Sequence, residues 1–263
     1  MNFDPNILIT ISLAFISGML PALVWLLFWT HEDRKNPEPK SMLALAFIGG
    51  MVAVFISLFS EKYLYGLGLE KLFSSSIFGQ ILPWFQKIAS QTNVQIDKVL
   101  LVVIFAPFIE EISKFIIAYI LVLRSKADDE PLDPMIYMIT TALGFAAVEN
   151  MLFLVNPFEN HDIISTIFTG NMRFVGATLL HTVSSAIIAM FMSFHFFDSK
   201  FKKFSFIILG IICSVAMHSI FNFLMIGDQG TSTTIALELI WITVIIVLLA
   251  FEKIKKIREE KID

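Results

Sequence analysis

The residues able to do chemistry begin with Glu110, Glu111 and Lys114, in the run Phe105-Ala106-Pro107-Phe108-Ile109-Glu110-Glu111-Ile112-Ser113-Lys114-Phe115. This run otherwise reads as a membrane-spanning helix. A charge at that depth costs about 2.5–3.5 kcal/mol even on the lower insertion scales, so such groups are kept for function and face protein or water. On a helix, Lys114 projects about 40° from Glu110 and about 60° from Glu111, so one ammonium can partly neutralise two carboxylates. Glu149, His181 and His218 each lie in a separate later apolar run, and Asn222 comes on the His218 face at i+4.

Two chemistries use such a set. A carboxylate in a low-dielectric pocket gains proton affinity and can act as general base on water. A second acid or Lys114 would then donate protons or balance charge, and the histidines would stabilise an oxyanion. Alternatively, Glu149, His181 and His218 are suitable ligands for zinc, with Glu110 or Glu111 activating bound water. No His-Glu-x-x-His, Gly-x-Gly-Asp or nucleophilic serine turn is present. Ser184 and Ser185 read as helix-contact hydroxyls, Phe145 as a packing neighbour of Glu149, Arg173 as an interface anchor, and His195 as too far along its helix to join the site. Asn222 is placed to orient His218.

The elements that must position these groups are membrane spans. Of 263 residues, 56% are hydrophobic and only 16% charged, and 27 are Phe, which excludes an ordinary soluble domain. Apolar runs of about twenty residues recur at about 7–29, 41–60, 99–123, 135–155, 174–197, 204–226 and 234–251. The first has no basic flank and is too long for a cleaved leader, so it reads as a retained span. Gly49-Gly50 in the second permits close helix approach. Residues 61–98 mix charges with apolar patches and read as short helices at the membrane surface. Pro107 should free the Val103 carbonyl and permit a kink. Cys213, the single cysteine, reads as a buried small hydrophobe. With the N-terminus outside, the inner segments hold thirteen Lys and Arg against four outside, with Arg173 at a boundary. The positive-inside rule then sets the C-terminus in the cytoplasm. The expected fold is all-α: a polytopic membrane helical bundle of about seven transmembrane helices, with an interfacial segment between the second and third. It forms a single domain over 1–263 whose catalytic helices cover about 99–226.

Glu110-Glu111-x-x-Lys114, Phe145-x-x-x-Glu149 and His218-x-x-x-Asn222, in that order on successive spans, resemble the three motifs of the PrsW family of intramembrane proteases. That family is related to the prenyl-protein (CAAX) proteases and bacteriocin-immunity proteins. Glu38-Pro39 in the first loop and His181 downstream of Arg173 extend the likeness over about 30–226. The third motif usually ends in Asp; Asn222 stands there instead and cannot serve as an anionic ligand or base. The resemblance implies an endopeptidase of the cell membrane that cuts membrane-anchored proteins, in the type member an anti-sigma factor. Its partners would be that substrate and the lipid bilayer, with no nucleic acid and an open oligomeric state. The cofactor would be zinc in a metal-dependent mechanism and none in a glutamate-type one. The competing class is a non-proteolytic membrane protein, a proton-coupled carrier or immunity-type binding factor, relaying protons through the same cluster. The absence of a convincing internal repeat favours the enzyme.

Overall fold

The computed structural model describes residues 5–33, 36–67, 86, 90, 95–159, 163–226 and 230–259. Its long elements are all helical: α1 (Pro5–Glu32), α2 (Lys40–Gly66), α3 (Ile96–Leu100), α4 (Ala106–Leu121), α5 (Asp133–Glu159), α6 (Ile163–Met172), α7 (Thr178–Phe194), α8 (Lys200–Ile226) and α9 (Thr231–Glu259). A π-helical turn, Leu101–Phe105, joins α3 to α4, and a second, Arg173–Ala177, joins α6 to α7.

Six helices are long and apolar enough to cross a membrane, at Leu8–Glu32, Lys40–Gly66, Asp133–Asn156, Thr166–Phe194, Lys200–Ile226 and Thr231–Ile257. The expected count of about seven is therefore met by six among the described residues. The segment read as a third span, 99–123, runs through α3, the first π turn and α4, and it is not among the six because Glu110, Glu111 and Lys114 make it too charged. The expected interfacial segment falls mostly on 68–94, almost wholly outside the described residues.

α5 is the axis of the bundle and packs against α1, α2, α4 and α7; α7 in turn packs against α4, α8 and α9. In their most apolar stretches the Asp133–Asn156 and Thr166–Phe194 spans bury 72% and 67% of residues, against 22–39% for the four outer helices. The outer helices present side chains such as Leu27, Phe59, Phe201 and Leu249 outward. That surface suits acyl chains, where close packing rather than water exclusion holds helices together. Gly50 and Gly144 show how: a β-carbon on Gly50 would strike the Thr141 carbonyl, and one on Gly144 would strike the Phe47 carbonyl. These reciprocal glycines let α2 lie backbone to backbone on α5.

The loop entering α5 is tied down by polar bonds. Asp133 Oδ2 accepts from the amides of Asp129 and Glu130 at 2.8 and 2.6 Å, fastening the preceding loop to the first residue of α5. The Tyr137 hydroxyl donates to Glu38, of the Glu38-Pro39 pair. This anchorage lies about 24 Å along α5 from Glu149.

Candidate active site

The first site residues reach their positions through a helix defect. An α-helix would send the Val103 carbonyl to the position-107 amide, the bond that Pro107 removes. The chain instead widens into the π turn, with the Ala106 amide bonded to Leu101. In that i to i+5 register, Pro107 stands where the Val102 carbonyl would find its amide, so that carbonyl is left over. Asn222 Nδ2 donates to it at 2.9 Å. The Asn222 amide thus bonds the π turn rather than His218. A carboxylate at this position could accept but not donate.

One turn further, Glu111 is fully buried and saturated. Its Oε1 accepts from Lys114 Nζ at 2.6 Å and Ser184 Oγ at 2.8 Å and meets His218 Nδ1 at 2.9 Å; its Oε2 accepts from Ser185 Oγ at 3.0 Å. Lys114, also fully buried, reaches His181 Nδ1 at 3.1 Å and lies 4.9 Å over the Phe145 ring. Phe145 packs against the His181 ring as well. Glu111 is therefore a junction between α4, α7 and α8.

A second defect sets His181. The Arg173–Ala177 turn leaves the Arg173 carbonyl to the Thr178 amide and hydroxyl. Thr178 Oγ1 accepts from Asn150 Nδ2 at 2.9 Å, while the Arg173 guanidinium donates to both Asn150 and Glu149 and covers the Phe153 ring. Glu149 Oε2 is 2.6 Å from His181 Nε2. Arg173, expected only as an interface anchor, holds the carboxylate that holds His181. The sequence offered one signal for this, a lone cation eight residues before a buried histidine.

Glu110 closes the group. Its Oε2 is buried and unpartnered among the described residues, 3.8 Å from His181 Nδ1 and 3.7 Å from His218 Nε2. Each histidine has its other nitrogen on a carboxylate, His181 on Glu149 and His218 on Glu111. The arrangement fits a metal. Carboxylate-backed histidines are the usual support of metal-ligating rings, and Glu110, His181 and His218 bring one ligand atom each within 4.8 Å of one another. Tetrahedral zinc would need donors about 3.4 Å apart, so the Glu110–histidine distances of 3.8 and 3.7 Å would have to shorten by a few tenths, and the three donors together span up to 4.8 Å. The group shares His181 and His218 with the expected Glu149, His181 and His218 and includes Glu110, while Glu149 lies on the other nitrogen of His181.

A cavity of about 570 Å³ opens from this point toward the Gly66 end of α2. Glu110, Glu149, His181, His218 and Asn222 line it; Glu111 and Lys114 do not. His195 stands apart at the end of α7, 2.7 Å from Asp198.

The PrsW family intramembrane metalloprotease profile matches residues 38–250, four-fifths of the chain. The chain belongs to the PrsW family. Proteins named Protease PrsW from Geobacillus kaustophilus, Bacillus subtilis and Clostridioides difficile are 23%, 24% and 22% identical to it over 216, 213 and 212 residues. The alignments cover 81%, 80% and 80% of this chain and 80%, 81% and 78% of those relatives. No solved structure matches the chain. PrsW membership and the multiple apolar helices make this a multi-pass membrane protein of a protease family. They also accord with the Glu/His group at its centre.

Proposed function

We propose that the chain is an intramembrane endopeptidase that cuts membrane-anchored proteins, regulators of the anti-sigma-factor kind being the class that the family resemblance favours. The observation that carries this is the pair of carboxylate-backed histidines whose remaining nitrogens converge on the unpartnered oxygen of Glu110, at the end of a cavity. Glu110, His181 and His218 would hold the metal. When bound, it would polarise a water or the scissile carbonyl.

The chain's own residues then divide the labour. Glu149 and Glu111 fix the ring orientations and increase the basicity of the ligating nitrogens. Arg173 keeps Glu149 in place and balances its charge. Lys114 neutralises Glu111, while Ser184 and Ser185 lock that carboxylate away from the cavity. Asn222 acts through the Val102 carbonyl to set the start of α4 and hence Glu110. Of the two adjacent acids, Glu110 is the one exposed to substrate. The seventh crossing would be the α3–α4 segment, with the N-terminus outside and the C-terminus in the cytoplasm.

One contact favours a metal-free variant: Lys114 Nζ lies 3.1 Å from His181 Nδ1, the nitrogen that a metal would use. In that variant Glu110 itself is the base. Reconstitution with single-span test substrates decides both points. Wild type is expected to cut and Glu110→Gln to lose about a hundredfold or more. Intact substrate with both proteins would sink the peptidase reading. Stoichiometric zinc and inhibition by chelator support the metal version; cleavage unaffected by complete metal removal leaves the glutamate version.

A further inference from the structure

The cavity wall opposite His181 and His218 is formed by α2, through Val54, Ser57, Leu58 and Glu61. None of these takes part in the chemistry above, and two of them are unusual. Ser57 is 1% exposed and its Oγ has no hydrogen-bond partner among the described residues. Helix hydroxyls in this chain commonly bond the carbonyl four residues back, as Ser60, Thr182, Ser205 and Thr243 do. Ser57 does not, although it lines the same cavity as Glu110. Glu61 stands at i+4 on the same face and also lines the cavity, about 6 Å further along α2 toward Gly66. None of the ion pairs among the described residues includes Glu61. The remaining wall is mostly apolar, with Leu152, Phe153, Met225 and Leu237 facing the space.

A peptide bond can be attacked only where the substrate main chain is unwound. The amides and carbonyls released there need partners in a low-dielectric space, because each unsatisfied group costs several kcal/mol. A serine hydroxyl can donate or accept, and a carboxylate beyond it can receive a cation. We propose that the Ser57–Glu61 face of α2 is a substrate subsite that takes an apolar polypeptide stretch and, after it, a lysine or arginine. Ser57 Oγ bonds the unwound main chain, and Glu61 pairs with the basic side chain further along α2. This rests on the peptidase reading.

The test uses full-length protein in lipid vesicles with single-span peptides sharing one scissile region. Each peptide carries Lys, Gln or Glu at successive positions beyond the apolar stretch. At one position wild type is expected to favour Lys over Glu by about five- to tenfold in kcat/KM, the scale of a partly shielded ion pair. Glu61→Gln should level that preference and Glu61→Lys should invert it, an exchange that a purely structural role would not produce. Ser57→Ala should raise KM while keeping the charge preference. Cleavage by wild type with no charge preference, or with one that Glu61→Gln leaves unchanged, overturns the subsite and leaves the peptidase reading standing. If wild type cuts none of the peptides, both fall together.

Discussion

Glu110 and Glu111 are adjacent in sequence yet do different work, because successive residues on a helix point about 100° apart. Glu111 faces α7 and α8 and receives four polar groups; Glu110 faces the cavity with an oxygen to spare. Removing one member of the buried Glu111–Lys114 pair strands the other charge, which costs about 3–5 kcal/mol. Glu111→Gln and Lys114→Met are each expected to lower unfolding stability in detergent by that order. The double variant should recover part of the loss in a double-mutant cycle, and additive losses would show that the two do not depend on each other. Asn222 yields a prediction of opposite character. It donates to a carbonyl orphaned by Pro107, and leaving that carbonyl unmet costs about 1–3 kcal/mol. Asn222→Asp should therefore resemble Asn222→Ala, with cleavage reduced about tenfold or more, although aspartate is usual in the family motif. An aspartate variant as active as wild type would mean that the amide donor is dispensable.

At the level of helices, both π turns stand just before site residues: Leu101–Phe105 precedes Glu110 by five residues, and Arg173–Ala177 precedes His181 by four. One extra residue per turn rotates the downstream helix relative to the upstream one, and such insertions are frequent at functional sites. This is where the sequence was legible only in part. The charges at membrane depth on separate spans pointed to Glu110, Glu149, His181 and His218, because burying them is expensive and their spacing is fixed. Glycine at position 50 announced a close helix contact, which α5 provides. The register shifts were not legible, since Pro107 signals a missing amide but not how the backbone absorbs it. For the same reason the sequence did not point to the Val102 carbonyl that Asn222 meets, one residue before the carbonyl that an unbroken α-helix would free. Nor could Glu149 be separated from Glu110 as the acid lying between the two histidines, because depth along a helix does not say which side of an imidazole a carboxylate meets.

Taken whole, the molecule has two polar ends of different kinds: the reactive centre, and the tied-down loop that enters α5. In that loop, burial raises the Asp128 carboxyl from its ordinary 3.8 to about 7; Glu38 and Asp129 add to the effect and Lys203 opposes it. The folded state thus binds this proton more tightly than the unfolded chain does. Its stabilising contribution is complete below about pH 4 and is lost as pH rises through about 7. Melting midpoints should fall across that window, and Asp128→Asn should flatten the fall; parallel profiles would remove Asp128 as the cause. The reciprocal glycines have a consequence for traffic. A polypeptide arriving sideways from the bilayer needs a doorway between helices, and backbone-to-backbone contact makes the α2–α5 seam hard to part. A cysteine cross-link across that seam should leave cleavage intact, whereas loss of activity on cross-linking would place the entrance there. At Gly176, by contrast, a β-carbon would meet Leu237 and Phe221 only at 3.7 Å, so the Arg173–Ala177 turn touches α9 through side chains, a contact better able to yield.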